Sequence, residues 1–152
     1  MTQPDPRATA RAQTHLRFWN ALVFFITLGL VVMLTACAGN QPRINLDTRE
    51  FDFGNVTNGE TVSREVAVRN TGQDDLVVET VTTTCSCTSA TLERMTIPPG
   101  GKAILRIDFD SGTHGPELKG QVMRQVIIIS NDPENPEVTV QFIANVLPLE
   151  TP

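Results

Sequence analysis

Cys85 and Cys87 stand one serine apart in "TTTCSCTSA", Thr82 to Ala90, and thiols at that spacing have several chemistries open to them. They can close a local disulfide, cycle as a redox couple, or present two thiolates to a soft metal ion such as copper(I). A fourth reading is physical only: two small side chains buried as hydrophobes. In an extended strand residues i and i+2 share a face with parallel side chains and Cα atoms about 6.7 Å apart, at the upper limit of the about 4.4 to 6.8 Å a disulfide takes and too far apart for its Cβ separation of about 3.8 Å. Closing the bond therefore calls for a kink at Ser86. A zinc site would want four ligands, and His114, Met95 and Met123 are the residues that could add to the pair. His114, in "SGTHGPELKG", is the only histidine beyond the N-terminal segment, and its plainest reading is a solvated loop residue.

The third cysteine, Cys37, belongs to different chemistry. Three arginines, Arg7, Arg11 and Arg17, precede the uncharged run "FWNALVFFITLGLVVMLTA", Phe18 to Ala36. Leu34, Thr35, Ala36 and Cys37 then match the pattern of a bacterial lipoprotein signal, in which cleavage leaves an N-terminal lipid-modified cysteine. An uncleaved transmembrane helix is the alternative, because 19 residues fall within the roughly 17 to 25 that span a bilayer. In both cases the arginines stay cytoplasmic and the rest of the chain lies outside the cytoplasm, attached to the membrane. Residues 1–36 are thus expected to be a signal peptide or anchor, 37–43 a short polar linker, and 44–149 a single domain.

Beyond residue 36 the chain carries nine Lys plus Arg against sixteen Asp plus Glu, a net charge of −7. Such a surface repels phosphate backbones, so nucleic-acid binding is excluded as an expectation. Other site signals are faint. "DFDSG", Asp108 to Gly112, has the start of a calcium loop but lacks the later bidentate Glu. Asn55-Val56-Thr57 fits an N-glycosylation acceptor by pattern only. No group of acids, bases and nucleophiles is gathered in a motif, so the chain reads as non-enzymatic.

The elements that must position these residues are strands. "AILRIDFD" puts Leu105, Ile107 and Phe109 opposite Arg106 and Asp108, and "EVTVQFIANV" does the same for Val138, Val140, Phe142, Ala144 and Val146. In "TVSREVAVRN" Val62, Val66 and Val68 share a face with one exception, Arg64. Alternation of this kind marks strands with one wet face. "QVMRQVIII", Gln121 to Ile129, becomes apolar throughout and reads as a more central strand, while "DLVVETV" leads into the cysteine pair, which is then expected at a strand end. Turn signals, "TNGE", "NTGQDD", "IPPGG", "SGTHG" and "NDPENP", separate the runs. About seven strands in about 100 residues is the proportion of an immunoglobulin-like antiparallel β-sandwich. Trp19 lies in the N-terminal segment and Tyr is absent, which disfavours an antibody-type domain.

Five stretches together, "FDFGNVTNGE", "VRNTG", "CSCT", "IPPGGKAILRIDFD" and "SNDPENPEV", resemble a bacterial envelope domain family of unknown function that carries a Cys-Gly-Cys-Thr motif. That family is immunoglobulin-like, similar to hydin and abnormal-spindle-type domains and more distantly to PapD-like sandwiches. The resemblance covers roughly residues 45–146. It departs at Ser86, which replaces the glycine between the cysteines and narrows the backbone angles open there. What the resemblance implies is a fold and a location. The expectation is a membrane-tethered cell-envelope module that binds an envelope protein or builds structure. The alternative is a thiol-based carrier of copper, zinc or electrons on Cys85 and Cys87, assisted by His114.

Overall fold

The computed structural model describes residues Asn40–Leu149. The run Phe18 to Ala36 and Cys37, on which the anchoring expectation rests, lie outside them. Among the described residues no helix is long and apolar enough to cross a membrane. Nine strands follow in order: β1 (Ile44–Leu46), β2 (Glu50–Thr57), β3 (Thr61–Asn70), β4 (Leu76–Thr83), β5 (Thr88–Leu92), β6 (Thr96–Ile97), β7 (Lys102–Asp110), β8 (Gly120–Ser130) and β9 (Glu137–Leu147). They form a four-stranded sheet, β1-β3-β7-β5, and a five-stranded sheet, β2-β9-β8-β4-β6. Every pairing is antiparallel except that of β2 with β9. The architecture is the expected all-β immunoglobulin-like sandwich. Two of its strands, β1 with three residues and β6 with two, are too short for a period of two to register in a sequence.

The core follows the alternation. Leu105, Ile107 and Phe109 of β7 and Val138, Val140, Phe142, Ala144 and Val146 of β9 are all buried. Between the sheets four phenylalanines meet: the Phe142 ring centroid lies 5.6 Å from Phe51, 5.2 Å from Phe53 and 5.5 Å from Phe109. Offset and edge contacts at such distances add to the area they bury. Arg64, the break in the β3 pattern, lies between Val62 and Val66 on that row, with its guanidinium carbon 5.6 Å from the centroid of the Phe51 ring. It caps the aromatic cluster with its charge at the solvent edge. As expected, β8 is central, held by β9 on one side and β4 on the other.

Gln41 to Arg43, in the expected linker, run against the β3–β4 turn. Gln41 and Arg43 accept the N–H groups of Gln73 and Thr71 through their carbonyls at 2.9 Å each. The approach is so close that a Cβ on Gly72 would stand 2.2 Å from the Gln41 carbonyl oxygen, and only glycine leaves that space free.

Candidate functional site

The cysteine pair sits in the turn between β4 and β5, not at the end of β4. The strand stops at Thr83 because Thr84 turns its N–H to the Gln125 carbonyl and its Oγ1 to the Gln125 N–H, each at 3.1 Å. A tight turn follows, closed by the Thr88 N–H on the Cys85 carbonyl at 3.1 Å. The turn shortens the Cα separation of Cys85 and Cys87 to 5.2 Å, and a disulfide joins them. Ser86 is the apex, and it keeps a negative φ, since the positive-φ residues described are all glycines. The narrower angles of serine are thus compatible with closure.

Main-chain, hydroxyl and sulfur groups each contribute hydrogen bonds that hold the turn. The Cys87 carbonyl accepts the Asp110 N–H of β7 at 2.9 Å. The Thr83 Oγ1 lies 3.1 Å from the carbonyl oxygens of both Cys85 and Thr88. The Cys87 N–H donates to the Cys85 sulfur at 3.1 Å. None of the first two contacts involves a sulfur. Cys87 is buried, 1% exposed, whereas Cys85 is only partly buried.

Each sulfur has a nitrogen beside it, delivered from far along the chain. The His114 Nε2 lies 3.1 Å from the Cys85 Sγ across a separation of 29 residues. Its loop, between β7 and β8, is pinned by two buried polar side chains. Asn58 donates to the carbonyls of Gly115 and Leu118 at 3.0 and 2.9 Å. The Ser111 Oγ lies 2.9 and 2.8 Å from the carbonyl oxygens of Thr57 and Glu60. His114 itself is exposed, in keeping with a loop histidine, but it is not an isolated one. From β8, Arg124 donates its Nε to the Cys87 Sγ at 3.2 Å and its Nη1 to the Met123 carbonyl at 2.8 Å.

Arg124, Asn58 and Ser111 are the residues that sequence reasoning missed. A signal for Arg124 was present. It occupies the same register row as the buried Val122, Val126 and Ile128, and a charge on a core-facing row has a partner to find. Asn58 and Ser111 had none, because their bonds are to distant main chain.

The ligand atoms of Cys85, Cys87 and His114 lie within 4.8 Å of one another. As a disulfide the pair offers no thiolate, so a metal ion would bind only after reduction. Two thiolates and an imidazole then make a three-donor set that suits copper(I), and zinc would need a fourth ligand. Of the other residues considered, Met95 and Met123 are exposed. Asp108 receives the Arg106 Nε at 3.0 Å and Asp110 caps the Gly112 N–H at 2.9 Å, so both carboxylates of the calcium-like stretch already have partners.

The sheet edges differ in what they present. β2 carries Glu50 and Asp52 and a register shift between Asp52 and Asn55, the charges and bulges that blunt an edge. β1 and β6 are very short. β5, "TSATL", has no charge, proline or bulge, and pairs with β7 in unbroken register. The bonds from Asp110 N–H to the Cys87 carbonyl and from Glu93 N–H to the Ile104 carbonyl, both 2.9 Å, turn the odd-numbered residues toward β7. The even-numbered main-chain groups point away. Those of Thr88 turn back into the cysteine turn, which leaves the N–H groups of Ala90 and Leu92 without an acceptor among the described residues.

Comparison with known proteins places this geometry in a lineage. Residues 42–145 match the family model described as HYDIN/CFA65/VesB-like, Ig-like domain. No curated protein matches the sequence. Among solved structures, a protein of unknown function from Porphyromonas gingivalis W83 is 28% identical with a TM-score of 0.61, over 71% of this chain and 48% of that one. The VesB protease of Vibrio cholerae aligns at 14% identity and a TM-score of 0.55, over 67% of this chain and 31% of that one. The ASH / PapD-like domain 7 of human CEP192 aligns at 12% identity and a TM-score of 0.55, over 72% and 89%. The chain therefore spans about half or less of the first two proteins it resembles.

Proposed function

The chain belongs to the HYDIN/CFA65/VesB-like Ig-like domain family, and from that premise we propose that it is a non-enzymatic binding module of the bacterial cell envelope. Lipid on Cys37 tethers it outside the cytoplasm, and the free edge of β5 captures an extended segment of an envelope protein. The observation that carries this reading is the β5 edge. Its outward N–H groups at Ala90 and Leu92 are what an added strand needs, and main-chain pairing supplies affinity while side-chain pockets supply choice. The lipoprotein pattern at Leu34 to Cys37 supports the location.

Replacing Ala90 with proline removes one outward N–H and leaves the β7 ladder intact, because proline is accepted on an edge whose N–H faces solvent. A photo-crosslinker at the exposed Thr91 in the full-length chain should capture a discrete partner, and Ala90→Pro should abolish capture with the protein folded. Crosslinks that persist in the variant sink the β5 assignment. Mass spectrometry of the native chain should find lipid on Cys37; an unprocessed N-terminus would remove the lipid from the proposal and leave the uncleaved apolar run Phe18 to Ala36 as the anchor.

A further inference from the structure

The Cys85–Cys87 bond is a poor staple. It closes a loop of three residues, and because the unfolded-chain entropy that a cross-link removes grows with loop length, it constrains the unfolded chain far less than a long-range bridge would. The turn does not need it. The Thr88 to Cys85 bond, the Asp110 to Cys87 bond and the Thr84–Gln125 pair hold the same backbone through main-chain and hydroxyl groups.

The surroundings of the two sulfurs suit another state. A disulfide sulfur is a weak acceptor, so a guanidinium gains little by facing one. A thiolate is a full anion, and a charge-assisted bond to it is roughly twice as strong as a neutral one. Arg124 nevertheless reaches from the core-facing row of β8 to put its Nε 3.2 Å from the Cys87 sulfur. Exposure separates the two sulfurs as well: Cys85 is partly open and has His114 within hydrogen-bond reach, while Cys87 is buried.

We propose that the Cys85–Cys87 disulfide is a thiol–disulfide exchange site that oxidises protein dithiols, with Cys85 the sulfur attacked and Cys87, beside Arg124, the sulfur released. One thiol of the dithiol gives its proton to solvent and attacks the Cys85 Sγ. A mixed disulfide forms, the Cys85–Cys87 bond breaks, and its electron pair departs on the Cys87 Sγ, where the Arg124 guanidinium stabilises the thiolate. The second thiol loses its proton and attacks the first thiol's sulfur, forming the new disulfide. The Cys85 Sγ leaves with its electron pair and takes up a proton at the solvent-facing side where His114 stands. Two electrons have passed from the dithiol to the pair, and the partner is left with a disulfide. The exchange is stoichiometric and independent of strand capture at β5.

The test uses the full-length chain in buffers of reduced and oxidised glutathione. The bond should open and reclose reversibly, with the amide spectrum of the domain folded in both states. Cys87→Ser should trap glutathione on Cys85, and Cys85→Ser should react at least about tenfold more slowly because Cys87 is shielded. Arg124→Gln should slow opening by glutathione about fivefold, as expected when a leaving thiolate loses its stabilising charge, and Arg124→Lys should restore most of that rate. Opening at the rate of global unfolding, adduct preferentially on Cys87, or an Arg124→Gln rate and equilibrium equal to the parent would each overturn the assignment. Reduced and oxidised forms that both resist glutathione would do the same.

Discussion

The carboxylate of Asp132 accepts the N–H of Ile44 at 2.8 Å, tying the β8–β9 turn to the first strand across 88 residues of chain. Its other oxygen accepts the N–H groups of Glu134 and Asn135 at 2.8 and 3.1 Å. One buried side chain thus shapes its own turn and anchors β1. Burial pushes the Asp132 carboxyl up, but the N–H groups of Ile44, Glu134 and Asn135 outweigh it and hold the carboxyl below its ordinary value.

The sign of that shift predicts an acid-sensitive fold. A depressed carboxyl contributes stability that is present above its unfolded value of about 4 and is lost as pH falls through the lower folded one. Asp132→Asn should be less stable than the parent at pH 7, and the gap should shrink below about pH 4 as the parent's carboxyl protonates. Urea unfolding at pH 7 and pH 3 measures it. Glu93, held low by Arg94 and by the Ile104 N–H, is common to both proteins and cancels in the comparison. A gap that stays constant with pH would remove Asp132 from the acid response.

Gly72→Ala should destabilise the domain by roughly 2 kcal/mol, because the new methyl meets main chain that cannot rotate away. The alanine would force Gln41 to Arg43 off the β3–β4 turn. Chemical denaturation reads the change, and an unmoved midpoint would mean that this segment does not pack there in solution.

Phe142→Ala should cost about 3 to 5 kcal/mol. The ring is buried and meets three other phenylalanines, so its loss opens a cavity between the sheets. Phe51→Ala, at the partly exposed rim of the same cluster, should cost clearly less. Equal losses at both positions would contradict the position of the cluster.

Ser111→Ala should cost about 0.5 to 1.5 kcal/mol, the net worth of an ordinary hydrogen bond, since the buried hydroxyl is lost while the Thr57 and Glu60 carbonyls keep the N–H groups of Glu60 and Ser111. The effect should be local first. Amide exchange should rise in residues 111–119, and the His114 ring should lose its fixed place beside Cys85. Exchange that rises uniformly over the whole sandwich would assign Ser111 a general rather than a local role.

Much of the fold was legible because strand alternation is a local rule. The inward rows of β7 and β9 are the rows that are buried, residue for residue. Arg64 broke its row in the sequence and breaks it in the structure, at the rim where a long side chain can cover Phe51 and still reach water. The cysteine turn was legible only in part. The distance rule demanded a kink at Ser86, and a turn supplies it, but the rule could not say that β4 would already have ended at Thr83. That ending depends on Gln125, a residue of another strand.

The sequence by itself determined which residues face inward, because successive side chains of an extended chain point to opposite sides whatever the partner. It also placed five of the strands, β3, β4, β7, β8 and β9, between turn residues whose backbone preferences are intrinsic, but did not assign β2 and β5. Only the tertiary structure decided which strands lie side by side, and with that which side chains meet. Bringing His114 to Cys85 and Arg124 to Cys87 requires closing loops of 29 and 37 residues. No local preference encodes such closures; they are fixed when two sheets bury a common core and every strand register is set at once.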